Sequence, residues 1–356
     1  MISKLWSALS KQNQRVSENA QAIQTTGPVT VHNGISPEQM SQIMASLMVQ
    51  ASRFTEEARG IVDQRVSEFR EEIMQKFAEE NEADSNAFKE PDFQYMLGNA
   101  QEAYARSGDA AVKETLVDII ARRSKVKTAT REALALNAAA TRAPYLTNAE
   151  FAALSLCYLV KYAHNRSANS VDRFQKYVKE TLMPFVDDVS LEQSSIWHLE
   201  TQSCAKSVIG APLDEIWAEA YGGVLGLGVS KEDAEKHLGV DQRNLFSQIY
   251  KPCLRDETKF QPNALNLKVF KDEFSKIGLS KNKLEYIWKM YSWTIPKGEK
   301  LFDMLSLSIP DIYRLLDAWQ KSGINTLELN SAGIAIAHAN ALRMTDFDAP
   351  LDVWIR

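Results

Sequence analysis

Apolar residues recur at helical spacing between residues 43 and 77, which is typical of one face of an amphipathic helix. The stripe comprises Ile43, Leu47, Phe54, Ile61, Phe69, Ile73 and Phe77. Before it, Ser36 offers a hydroxyl N-cap, Pro37 fits the first helical position and Gln39 completes a capping box. The pattern predicts one helix over residues 34–83. At ~1.5 Å per residue it would extend roughly 60 Å, so the stripe must pack on helices of its own chain or of further copies.

Shorter helical patterns follow with short breaks near residues 92–106, 109–123, 126–141, 147–164 and 169–184, and four more lie towards the C-terminus near 264–277, 280–291, 298–306 and 309–322. The chain is therefore predicted to be all-α. A short alternating strand at 326–329 and a small-residue helix at 333–340 resemble the end of a winged-helix domain. Pro212 and a glycine-rich run predict a boundary, giving a helical bundle or short solenoid over 88–208 and a C-terminal helical domain over 209–356.

The first 33 residues have a different character. Ile2, Leu5, Trp6 and Leu9 fall on one helical face, which would either rest on a membrane surface or dock on the protein's own domain or a neighbouring subunit. Residues 13–33 are polar with two short β-prone runs, which predicts strands that pair between subunits or, equally, a linker.

Composition narrows the class of protein. The chain has 356 residues, a net charge of -5 and 45% hydrophobic residues, so nothing global favours nucleic acid. Its three cysteines, Cys157, Cys204 and Cys253, are far apart and form no CxxC pair. Without a signal peptide or an apolar run long enough to span a bilayer, the expected location is the cytoplasm, with peripheral membrane contact as an addition.

Motifs for chemistry are weak. The run from Gly222 to Gly228 superficially resembles a phosphate loop, but an acidic helical segment precedes it where a strand is needed, so a structural loop is expected. The five histidines are scattered and none has a second ligand at metal-binding spacing. His338 is expected to be a hydrogen-bonded core residue, with a pocket-facing role as the alternative. We therefore predict no catalytic residue, no metal site and no cofactor.

One basic cluster interrupts the acidic background. It consists of Arg122, Arg123, Lys125, Lys127 and Arg131. Cations are favourable at a helix C-terminus, which is the simpler explanation, whereas an anionic partner such as a nucleic acid backbone or a lipid headgroup is the alternative.

Several stretches together resemble an uncharacterised bacterial family of helical proteins over most of the chain. They are Thr30–Ser36, Arg65–Phe69, Pro91–Tyr95, Ala103–Asp109, Leu329–Asn340 and Asp352–Ile355. The resemblance implies a cytoplasmic, self-associating protein with a role in phage defence, and it implies no catalytic residues.

These observations predict a non-enzymatic, homo-oligomeric helical scaffold or sensor that binds itself and a protein partner. One alternative is a membrane-acting effector that uses the N-terminal face. Another is a nucleic-acid-binding protein that uses the C-terminal tail and the basic cluster, and an enzyme with a pocket built from scattered residues ranks last.

Overall fold

The computed structural model describes residues 35–46, 55–79 and 82–355. The N-terminal candidates Ile2, Leu5, Trp6 and Leu9, the β-prone segment, and Leu47 and Phe54 of the stripe lie outside these ranges. The structure is 68% helical, which confirms the all-α class. No helix in the described ranges is both long and apolar enough to cross a bilayer.

The first six helices cover the region in which one long helix and a bundle were predicted. They are α1 Pro37–Ser46, α2 Glu56–Ala78, α3 Pro91–Ser107, α4 Ala110–Lys125, α5 Arg131–Arg142 and α6 Asn148–Lys161. The prediction of one continuous helix is wrong because Thr55 is extended (φ -63°, ψ 163°) and N-caps α2, accepting a hydrogen bond from the Ala58 N–H. At the other end, Glu79 is again extended and ends α2 before Ala83.

The remaining elements form a second group of short helices with two small sheets. The helices are α7 Val171–Tyr177, α8 Gln193–Thr201, α9 Leu213–Leu225, α10 Lys231–Leu238, α11 Phe246–Ile249, α12 Leu267–Phe274, α13 Lys281–Ser292, α14 Glu299–Ser306, α15 Ile312–Lys321 and α16 Ser331–Met344. The strands are β1 Ala205–Ser207, β2 Tyr250–Pro252, β3 Phe260–Pro262 and β4 Leu327–Leu329. Helices α10, α12 and α13 enclose an aromatic core that includes Phe270, Trp288 and Tyr291.

The chain end does not form the predicted winged helix. Strand β4 pairs antiparallel with β1, with Ala205 opposite Leu329, so it has no adjacent hairpin partner that could act as a wing. Helix α16 then packs against α4, α5 and α6. A Cβ at Gly333 would lie 2.0 Å from the carbonyl oxygen of Cys204, so only glycine permits this approach. The sequence places this helix of small residues at the end of a separate C-terminal domain. In the structure it packs instead among α4, α5 and α6.

Much of the apolar stripe is buried within the chain. Phe69 and Ile73 are fully buried, and Phe77 packs edge-on against Phe88, with ring centroids 5.2 Å apart. Ile43 is partly buried, whereas Ile61 is 52% exposed. Phe69 and Ile73 are therefore corrected from candidate interface residues to core residues, because α3 and α4 already cover them.

Candidate functional site

Two stretches that carry the family resemblance pack on each other. From α2, the Arg65 guanidinium donates to the carbonyls of Ala105 (3.0 Å) and Arg106 (2.9 Å) at the end of α3. Phe69 stacks on Tyr104 at 5.6 Å between ring centroids. Gly108 ends α3 with φ +66°, and a Cβ there would lie 2.3 Å from the Arg65 side chain. These residues therefore close α2 onto α3 and make no binding surface.

The basic cluster does not form one surface patch. Arg123 is fully buried, and its guanidinium lies 2.6 Å from Asp92, 3.0 Å from Asn137 and 3.1 Å from the Val126 carbonyl. Hydrogen bonds from Asn137 and Arg123 lower the pKa of Asp92. Lys125, Lys127 and Arg131 are exposed around the α4–α5 connection, while Arg122 is partly buried. Arg123 thus holds the start of α3 against α4 and α5 and is corrected from a candidate anion ligand.

Arg122 faces a buried aromatic cluster that contains His338. The rings of Tyr158, His338, Phe347 and Trp354 lie with centroids 5.0–6.3 Å apart. His338 Nε2 lies 2.7 Å from the Ala349 carbonyl oxygen. Burial, with the nearby Arg122 charge, lowers the pKa of His338 to about 4. His338 is therefore a neutral core residue, as the sequence predicts, although only Nε2 is hydrogen-bonded and Nδ1 is buried without a partner among the described residues.

His198 pairs with Glu150, a contact that the sequence does not indicate. His198 Nδ1 lies 2.6 Å from the buried carboxylate of Glu150, which also accepts from the Thr147 N–H at 2.8 Å. Glu150 is therefore the capping-box residue of α6 and the partner of α8 at once. The pair is separated by 48 residues in sequence, so no local spacing signals it.

The glycine-rich run is structural, as expected. Residues 222–225 form the last turn of α9, whose exposed groups are carbonyls rather than the N–H groups that a phosphate needs. Those carbonyls accept from Tyr291 Oη (2.9 Å, to Gly222), Gln261 Nε2 (2.7 Å, to Gly223) and Arg255 Nε (2.7 Å, to Val224).

Beside this run lies an open cleft with a different character. It has a volume of about 1070 Å³ and lies between residues 227–228, Lys259, the α13–α14 connection and the first turns of α14. Its wall includes Trp293, which is 69% exposed, and Leu227, which is 40% exposed. A concave surface with apolar side chains and a few polar groups is the usual form of a ligand site.

The charge of the cleft is positive. Its lining contains Lys259, Lys297, Lys300 and one carboxylate, Glu299. Lys259 is paired with Asp256 at 3.2 Å, whereas Lys297 and Lys300 form no ion pair with any residue in the described ranges. The sequence reasoning missed this site. Its only local signal is a tryptophan followed by Pro296, Lys297 and Gly298 between two helical patterns.

Nucleophilic and metal chemistry find little support. All three cysteines are buried, and burial raises the pKa of Cys157 to about 12 and that of Cys204 to about 11. Both thiols are therefore protonated at neutral pH. Across residues 35–46, 55–79 and 82–355, no group of three His, Cys, Asp or Glu side chains could hold a metal ion.

Fold and site together define an all-helical protein with a central small-residue helix and an open, cationic cleft that carries an exposed tryptophan. The chain belongs to an uncharacterised protein family, whose family model matches residues 34–355. No curated protein and no solved structure matches it. The matched region begins after the N-terminal segment that contains Ile2, Leu5, Trp6 and Leu9.

Proposed function

We propose that this protein is a non-enzymatic sensor or scaffold that binds an anionic partner in the open cleft beside Trp293, here called the Trp293 cleft. One observation carries the proposal, namely an indole that is 69% exposed beside two lysines without ion-pair partners among the described residues. An exposed aromatic face supplies apolar contact area, and adjacent ammonium groups select negative charge. The family resemblance adds a role in bacterial phage defence.

Self-association is part of the proposal. The first turns of α2, from Glu56 to Ile61, are mostly exposed, and a Cβ at Gly60 would meet no atom within 4 Å. Among the stripe residues that the structure describes, Ile61 is the exposed one, and it supports a contact between copies of the chain. In this view, binding in the cleft is transmitted through assembly rather than through a reaction.

The test uses the anionic aromatic dye 8-anilinonaphthalene-1-sulfonate as a probe of the cleft in the full chain. We expect saturable fluorescence enhancement that is lost in Trp293→Ala and weakened in Lys297→Glu. Trp197→Ala is the matched control, because Trp197 is also exposed (61%) but does not line the cleft. Enhancement that is equal in Trp293→Ala and the unmodified chain would contradict the proposal.

A further inference from the structure

The chemistry of the Trp293 cleft narrows the class of its ligand. We propose that the ligand is a nucleotide, either free or within a single strand, with its base on Trp293 and its phosphate beside Lys297 and Lys300. This inference rests on the proposed function and adds to it the identity of the anionic partner.

Trp293 is the residue on which the base would stack. Trp293 follows the last residue of α13, and the backbone just beyond it is fixed by hydrogen bonds from the Thr294 N–H to Tyr291 O (2.8 Å) and from the Ile295 N–H to Ser292 O (3.2 Å). Ile295 is only 4% exposed and anchors the connection in the core. The indole therefore extends from a fixed backbone, so stacking of a planar base on it requires no ordering of the main chain.

The phosphate would lie beside Lys297 and Lys300. Lys297 and Lys300 flank the start of α14, and no side chain caps the first turn of this helix. Gly298 has φ +54°, and a Cβ there would meet no heavy atom within 4 Å, so the backbone is open to a ligand. The two ammonium groups attract a phosphate, whereas the helix end adds little, because Glu299 stands in its first turn and the Asp214 carboxylate lies beside it. The Gly298 N–H is already used, because it donates to Asp214 at 2.8 Å.

A nucleotide fits this combination better than an acidic peptide does. The lysines would bind either anion, but carboxylate side chains offer no aromatic ring that could stack on the indole. A base supplies a flat π face, which stacks favourably on an aromatic side chain whatever the identity of the base. The cleft volume of about 1070 Å³ leaves room for base, sugar and phosphates together.

The experiment is isothermal titration calorimetry on the full chain with four probes: ATP, a short oligo(dT), inorganic triphosphate and a hexaglutamate peptide. We expect ATP or oligo(dT) to bind, and Trp293→Ala to weaken this binding about 10-fold, as the loss of one stacked base predicts. Trp293→Phe should restore most of the affinity. Lys297→Glu should weaken binding and flatten its dependence on salt, while Trp197→Ala should leave it unchanged.

Several outcomes would overturn the inference. If inorganic triphosphate binds as tightly as ATP, or if Trp293→Ala binds the nucleotide with unchanged affinity, no base stacks on Trp293. Hexaglutamate as the tighter ligand would indicate an acidic protein partner. If the dye binds in a Trp293-dependent manner but neither nucleotide probe does, the proposed function stands and the nucleotide is wrong. Preference between ATP and oligo(dT) distinguishes a free nucleotide from a strand, and either preference supports the inference.

Discussion

The buried imidazole of His338 should make stability depend on pH below neutrality. Its pKa is lowered from 6.5 to about 4, chiefly by burial. Because the folded state binds this proton less readily than the unfolded state, the contribution to stability is complete above pH 6.5 and is lost as pH falls through the folded pKa. A difference of about 2.5 pKa units corresponds to about 3 kcal/mol of unfolding free energy.

The assay compares the unmodified chain with His338→Gln, which keeps a donor for the Ala349 carbonyl but does not titrate. Urea unfolding of both proteins at about pH 7 and about pH 4 gives the free energy of unfolding at each pH. Between these values, the unmodified chain should lose about 3 kcal/mol more than the variant does. Parallel pH profiles would refute the reasoning, because His338 would then be protonated equally easily in both states.

Three further perturbations separate packing from association. Arg123→Ala should lower the unfolding free energy by about 2–4 kcal/mol, because it removes a buried guanidinium and its hydrogen bonds, and an unchanged denaturation midpoint would contradict this. Phe69→Ala should lower the unfolding free energy by about 3–5 kcal/mol, because it leaves a cavity in the core. A lower mass in light scattering with unchanged stability would instead place Phe69 in a contact between subunits. Ile61→Glu should change stability by less than about 0.5 kcal/mol but lower the mass in solution, with the exposed Leu134→Glu as control.

Local signals in the sequence located most of the helices well. Helix α3 spans Pro91–Ser107 against a predicted 92–106, and α4 spans Ala110–Lys125 against 109–123. Both limits follow from short-range chemistry: Pro91 starts α3, Gly108 in the left-handed conformation ends it, and Asp109 accepts from the Val112 N–H to begin α4. Signals of this kind need no knowledge of the tertiary structure.

Long-range pairing could not be predicted in the same way. Strand β4 finds its partner β1 about 120 residues earlier in the chain, and this pairing, rather than the helix–strand–helix pattern, decides the fold of the chain end. Similarly, Arg122 and Arg123 are adjacent and chemically identical, yet one faces His338 and the other is enclosed by Asp92 and Asn137. Helix geometry separates neighbouring side chains by about 100°, so only the packing of α4 assigns their roles.

The cleft shows the same limit at the level of function. Trp288 and Trp293 both occur in or just after α13, but Trp288 is 6% exposed in an aromatic core and Trp293 is 69% exposed at the cleft. Helical periodicity places Trp288 on the buried stripe with Leu284, Ile287 and Tyr291, but it assigns no environment to Trp293, which follows the last helical residue.

The stretches that carry the family resemblance and the residues that form the cleft belong to different parts of the sequence. Arg65 and Tyr104 join α2 to α3, Asp92 receives Arg123, and α16 lies buried among α4, α5 and α6. Within the described residues, the contacts of these stretches therefore join the helices to one another. Trp293 and its lysines lie outside them, on the α13–α14 connection, where Ile295 is anchored in the core but Trp293 is 69% exposed. Function should accordingly be sought by varying this connection, because changes in the family stretches will be dominated by their effect on stability.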